Sequence, residues 1–366
     1  MVQVTVLKDM QDCQRLQGVW QELTELPAEG IFRLGACMSF EWTMALWKNH
    51  LRGQPQHILV AEEAGEVLAI LPCYSHRGNG ILGLRLLTLS AFPELYYTRA
   101  GLLCRPDRPD AIAALLAYRG PEWAGWTRLA VSVVEGSPSQ QLLNKALQAT
   151  GLSYSIKTLP PSPYIELAQP EEEFFAGLDG YFRKKIRQRE RKLGESGQVM
   201  LTVYEKPDDV LTLVDIIKWI ERASWKEKEG TSITKNQVQE GFYRLLLPEI
   251  ASQGWLLASV LLVGEKPIAY QLGINFNGVL DSLKTSYVQE YRNCGPGVIL
   301  KNRFLSYLYK KNICYCDLLG VVDEFKKIWA KKTYCHIKYT VYREGIAGHL
   351  LKLHQKINDK KRLNLT

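Results

Sequence analysis

The chain has 366 residues, 46% of them hydrophobic and 23% charged, with a net charge of +8. That is enough for two domains of ~150 residues with full apolar cores, and it excludes a disordered or low-complexity protein. Eight cysteines with no C-x-x-C spacing exclude a dense disulfide scaffold and read as reduced, mostly buried thiols.

In the first half, helix patterns over Phe40–His50, Pro109–Tyr118 and Ser139–Thr150 alternate with strand patterns. His57–Ala61 and Val67–Tyr74 form a hairpin about the Glu63–Glu66 turn; Thr127–Val133 and Leu152–Lys157 are further strands. Leu159-Pro-Pro-Ser-Pro163 reads as a linker, because clustered prolines stop helices and stiffen a connection. Extended Tyr164–Leu167 follows, then a densely basic run in which residues 183–192 hold seven cations and one acid. Val210–Lys228 and Gln237–Gln253 are expected as long helices. Trp255–Val263, Ile268–Asn275 and Val279–Ser286 are expected as strands, and Gly297–Lys310 as a helix. Ile313–Leu318 and His336–Arg343 are the last strands, before a basic amphipathic C-terminal helix that carries Lys352, Lys356 and Lys360. The alternation specifies an α/β (α+β) protein with domains at 1–158 and 164–366.

Charge is distributed unevenly. Residues 1–160 carry 14 basic and 14 acidic side chains, so the whole excess lies in the second half. A basic half suits an anionic ligand: a nucleotide cofactor, a nucleic acid or a lipid surface. No apolar run approaches the ~20 residues of a membrane span, and no leader pattern opens the sequence, so a cytoplasmic location is expected. Cys314 and Cys316 form a C-x-C in a strand pattern, which would put both on one face. No further Cys or His completes a zinc set there, so no metal is expected.

The chemistry-bearing pattern is Arg292-Asn293-Cys294-Gly295-Pro296-Gly297, an R-x-x-G-x-G between a strand and a helix. Glycines permit a tight turn and close backbone approach, and proline suits the first helical turn. The free amides and positive helix end then suit a pyrophosphate.

This loop resembles the pyrophosphate loop of GNAT acyltransferases. Three further stretches are similar to the FemAB-related, CelD-like branch: Ser224-Trp-Lys…Gly230-Thr-Ser-Ile, Lys284-Thr-Ser-Tyr287, and Asp317…Gly320…Lys326…Trp329. They keep family order over about 110 residues, and Phe325 stands where the family commonly has tyrosine. The resemblance implies tandem GNAT-like domains, each a mixed, mostly antiparallel sheet flanked by helices, with a degenerate first domain. It implies an N-acyltransferase that uses acyl-CoA as co-substrate, or an acyl carrier protein thioester, and an amine acceptor. No tightly bound cofactor is expected.

Arg292, Asn293, Cys294, Gly295 and Gly297 would hold the donor. Lys284 would contact donor phosphate or the developing oxyanion, or be a solvated strand lysine. Asp317 or Glu324 would take the amine proton, and Lys326 would pair with one of them or bind the donor; an Asp–Lys loop staple fits equally well. Tyr287 would protonate the leaving thiolate or simply pack. Trp225 and Trp329 would wall the substrate pocket. Lys226, beside Lys228, reads as part of a solvated face. The basic run leaves aminoacyl-tRNA open as an alternative donor, and loose membrane-surface contact open as well. A non-catalytic binding module is the third reading.

Overall fold

The computed structural model describes residues 1–49, 51, 53–79, 85–91, 99–120 and 126–343. The expected C-terminal helix lies outside these residues. The chain divides into two compact units, Met1–Pro161 with the chain from Tyr334 onward, and Ser162–Thr333.

Unit 1 contains β1 (Gln3–Leu7), α1 (Met10–Gln14), α2 (Gln17–Thr24), α3 (Phe40–Lys48), β2 (Gln56–Glu63), β3 (Glu66–Asn79), β4 (Arg85–Ala91) and β5 (Leu103–Cys104). It continues with α4 (Pro109–Ala117), β6 (Arg128–Val134), α5 (Pro138–Thr150) and β7 (Tyr154–Thr158). The expected hairpin forms on a two-residue turn in which Ala64 and Gly65 both have positive φ, 51° and 84°. Such turns match the right-handed twist of paired strands.

Unit 2 contains β8 (Ser162–Glu166), α6 (Glu171–Ala176), α7 (Gly180–Gly194), β9 (Val199–Tyr204), α8 (Val210–Arg222), α9 (Trp225–Lys228) and α10 (Gln237–Ser252). Then come β10 (Ala258–Val263), β11 (Lys266–Phe276), β12 (Val279–Tyr287), α11 (Pro296–Lys310), β13 (Tyr315–Asp317), α12 (Glu324–Trp329) and β14 (Lys332–Tyr334). The expected helix Val210–Lys228 is two helices. The Ser224 hydroxyl accepts from the Lys226 amide at 3.2 Å and donates to the Glu221 carbonyl at 2.8 Å, which ends one helix and caps the next.

The last strand, β15 (His336–Tyr342), corrects the expected domain boundary. It does not extend the second domain. It lies in the first sheet, antiparallel to both β6 and β7, in the order β1-β2-β3-β4-β6-β15-β7 with β5 on β3. Tyr339 is locked there by a 2.8 Å hydrogen bond to Asn144 on α5. Nearly every β15 residue is buried, as an interior strand requires, and local sequence cannot say which sheet it enters. Unit 2 is thus inserted between β7 and β15.

The second sheet runs β14-β8-β13-β12-β11-β10-β9. From β8 to β9 it is antiparallel except for β12 beside β13; in the first sheet β4 beside β6 is parallel. A bulge in β12 sets which side chains face which layer. Leu272 pairs Lys284 while Gly273 pairs Ser282, so Leu283 is the extra residue. Leu280 and Cys316 pack with Phe304, Leu305 and Leu308 of α11. Beyond the bulge, Lys284 joins Tyr270 on the opposite face, toward α8 and α10.

Candidate active site

The parallel strands β12 and β13 are paired at Val279–Tyr315, Leu280–Cys316 and Asp281–Asp317 only. β13 ends there, whereas β12 runs on to Tyr287. The two therefore part in a fork whose closed end is the buried pair Asp281 and Asp317. At ~3.3 Å per residue, the unpaired stretch of β12 is ~20 Å long. A six-residue 3₁₀ segment, Gln289–Cys294, leads from its open end into α11.

Gly295 caps α11 in the left-handed region, at φ 59° and ψ 54°, and no side chain bonds the first helical amides. Arg189 of α7 lies across it: a Cβ at Gly295 would come within 2.9 Å of Arg189 Nη1 and 3.1 Å of its Cδ. Gly297 differs, since a Cβ there would meet only Tyr287 Cδ1, at 3.9 Å. The protein itself leaves that space open. Arg292 and Asn293 are exposed, Cys294 is half-buried, and Tyr287 is half-buried against Ile299, Leu300 and Leu193. Helix amides, open space and a guanidinium meet there.

On the other face lies a buried ionic cluster. Glu221 of α8 is fully buried. One carboxylate oxygen accepts from the Tyr270 hydroxyl at 2.5 Å and lies 3.3 Å from both Lys226 Nζ and Lys284 Nζ; the other accepts from the Ile233 amide at 2.5 Å. Lys226 also donates to the Thr285 carbonyl at 2.6 Å, and Lys284 to Gln239 Oε1 at 3.0 Å. Burial pushes the Glu221 carboxyl up, but Lys226 and Lys284, with the two hydrogen bonds, outweigh it and hold the group below 4.5. Burial, reinforced by the Lys284 ammonium and opposed by Glu221, brings Lys226 down to about 8. Burial and then the Glu221 charge keep Tyr270 protonated. Two ammonium ions share one carboxylate, so the cluster holds a surplus positive charge.

Several residues stand apart from these groups. The Glu324 side chain is 91% exposed and bonds Lys327 at 2.6 Å, so it faces away from the fork. Lys326 donates to the carbonyls of Leu319 and Val321 at 2.6 and 3.0 Å, and Asp317 accepts from the Leu319 amide at 2.9 Å. Both thereby fix the loop after β13, in which Leu319 and Gly320 have positive φ. Trp225 is about one-third exposed, with Lys226 Nζ 6.0 Å from its ring centre. Trp329 is buried edge-on to Phe182 and lines a cavity of about 540 Å³ with Tyr164, Phe174 and Leu178; Trp225 is not part of it. The C-x-C expectation fails on geometry: β13 covers only 315–317, with Cys316 buried and Cys314 exposed.

Sequence reasoning missed Glu221 and misplaced Lys226. Its signal was present. Glu221 falls on the buried stripe of α8 formed by Leu213, Ile217 and Ile220, where an acid needs a partner. Arg189 was visible only as one cation in a basic run.

Two mixed, mostly antiparallel sheets, each with one parallel pair, and a glycine-started helix behind a strand fork are a tandem GNAT-like fold. The crystal structure of FemX is similar over 95% of this chain and 99% of that one, at 12% identity and a TM-score of 0.60. A tandem GNAT protein from the clavulanic acid biosynthesis pathway aligns over 94% and 100% (13% identity, TM-score 0.52). The C-terminal domain of a putative lysylphosphatidylglycerol synthetase from Agrobacterium fabrum aligns over 94% and 96% (12%, 0.53). At these identities the likeness is one of fold. No curated protein matches the sequence. Residues 180–327, within the second unit, match the family model described as acetyltransferase (GNAT) domain. Among the described residues no helix is long and apolar enough to cross a membrane.

Proposed function

We propose that the protein is an N-acyltransferase that moves an acyl group from a coenzyme A thioester to an amine. The observation that carries this reading is Gly297, left facing open space at the start of α11, two residues after Gly295, over which Arg189 lies. Donor phosphates would bind at Arg292–Gly297 with Arg189, and the acyl arm would lie in the fork.

The amine must lose a proton as it attacks. Asp317 is already committed to the Leu319 amide and Glu324 faces solvent, which leaves Lys226 as the base. A neutral lysine has two N–H donors, which the Thr285 carbonyl and Glu221 take, and a free lone pair. A base titrating near 8 is well matched to neutral solution. Lys284 supplies the positive field for the developing oxyanion.

Calorimetry with coenzyme A tests the donor. The wild type should bind, and Gly297→Ala should fold normally yet bind at least about tenfold more weakly, because the added methyl occupies ligand space. Absence of coenzyme A binding by the wild type would overturn the reading.

A second reading, transfer from aminoacyl-tRNA, is favoured by one observation. Glu190, the acid within the basic run of α7, is taken up by Arg303, whose Nε lies 2.6 Å away. Arg183, Lys184, Arg187, Arg191 and Lys192 are left exposed. RNA retention that falls steeply with salt would support it.

A further inference from the structure

Among the described residues, β12 beyond Asp281 pairs with β11 alone. The Val288 amide donates to the Ile268 carbonyl at 2.8 Å, so these two residues are a hydrogen-bonded pair. Bonded and non-bonded pairs alternate along an antiparallel ladder, which makes Tyr270–Ser286 bonded and Gln271–Thr285 non-bonded. The N–H and C=O of Thr285 therefore point away from β11, into the fork. There the carbonyl accepts from Lys226 Nζ at 2.6 Å. This distance puts the Lys226 amine in the fork, and its side chain is 13% exposed. Lys284 lies equally close to Glu221 but is turned to Gln239 of α10, at 3.0 Å.

The donor reading brings a thioester to the same place. A Cβ at Gly297 would lie 3.9 Å from Tyr287 Cδ1, so the open space at the start of α11 adjoins Tyr287. Thr285 is two residues, ~6.6 Å, further into the fork along β12. An acyl arm that runs from phosphates at Arg292–Gly297 into the fork passes Thr285, and with it Lys226 Nζ. A general base stands one hydrogen bond from the attacking nitrogen, and that nitrogen touches the carbonyl carbon. With the acceptor absent, the base is the nearest nitrogen left. At pH 8 about half of Lys226 is uncharged, against under about 1% of an ordinary lysine.

We infer that Lys226 is itself an acyl acceptor, modified by the bound thioester when no amine substrate is present, and that this modification switches the enzyme off. The inference rests on the thioester reading above. The Nζ lone pair forms the bond to the carbonyl carbon, and the carbon–sulfur bond breaks with its electron pair on sulfur. Nζ gives up one proton to solvent and the thiolate takes one from it, leaving an amide and free coenzyme A thiol. An amide nitrogen has no basic lone pair, so the acylated chain cannot take a proton from an incoming amine. The added acyl group also stays in the fork. Glu221 is then left with the single charge of Lys284, which removes the surplus positive charge of the cluster.

The test uses the full chain with acetyl-CoA at pH 8 in a buffer free of primary amines, followed by peptide mass spectrometry over time. Acetyl is the smallest acyl group of its series and enters a fork of any depth. Lys226 should gain one acetyl group at least about tenfold faster than exposed Lys228 or cluster partner Lys284, as its larger uncharged fraction requires. The rate should saturate with acetyl-CoA, fall when coenzyme A is added, and not depend on protein concentration. Lys226→Arg should show no fast phase. Acetylation of Lys226 no faster than that of Lys228, in a chain that binds coenzyme A by calorimetry, overturns the inference and leaves the thioester reading intact. Absence of coenzyme A binding overturns both. Should Lys226→Arg fail to fold, the wild-type ratio of Lys226 to Lys228 and Lys284 decides.

Discussion

Glu221 is the residue on which the cationic face of the second unit depends. Glu221→Gln would leave two buried lysines without a counter-charge, a change that costs about 3–5 kcal/mol when one partner of a buried pair is removed. The pH dependence follows from the depressed carboxyl. Between the folded value and the ordinary 4.5 the unfolded chain binds more protons. Glu221 therefore contributes stability fully above pH 4.5, and that contribution is lost as pH falls through the folded value. Urea unfolding from pH 3 to 7 should show this decline in the wild type and a flatter profile in Glu221→Gln. Equal profiles would show that the cluster does not couple to folding. Gly295 and Gly297 are two further residues with separate causes. The first is required by its left-handed backbone and by Arg189, the second by space the protein does not fill.

At the scale of elements, the break between α8 and α9 puts Lys226 under the sheet. Had the helix continued unbroken to residue 228, the pitch of 3.6 residues would have fixed Lys226 relative to Glu221 by helical spacing alone. The Ser224 cap instead lets Lys226 turn back to the Thr285 carbonyl and to Glu221. Ser224→Ala should cost ~1 kcal/mol in chemical denaturation, the usual value of an N-cap. It should also lower kcat well beyond what that loss of stability explains, since Lys226 loses its position. Unchanged kcat would remove Lys226 from the mechanism. The bulge in β12 acts in the same way on Lys284. Simple alternation from Leu280 would put Lys284 on the α11 face, and the extra residue Leu283 turns it to the other.

For the whole molecule, the insertion of unit 2 between β7 and β15 makes the two units unequal in their dependence on the chain ends. Unit 2 is continuous in sequence from Ser162 to Thr333. Unit 1 needs a strand from beyond residue 333 to fill the place between β6 and β7. A chain stopped after Thr333 should lose the cooperative unfolding transition of unit 1. The fragment 162–333 should keep one of its own. Calorimetric scans of both chains check this, and a normal unit 1 transition in the stopped chain would contradict the interior placement of β15.

The sequence alone specified most elements and the glycine–proline turn at Arg292–Gly297. Periodicity, turn residues and a glycine–proline helix start are local properties, carried within a dozen neighbouring residues. It also held the anomaly of an acid in the apolar stripe of α8. What that acid meets was set only by tertiary structure. Glu221 gathers partners from α9, β11 and β12, up to 63 residues away in sequence, the separation of Glu221 and Lys284. The face of Lys284 turns on one bulge, the sheet of β15 on which unit has a vacant strand position, and the solvation of Lys326 on a loop fold. These are outcomes of long-range packing, because burial and pairing are settled by which surfaces meet, and a pattern of residue types does not record that.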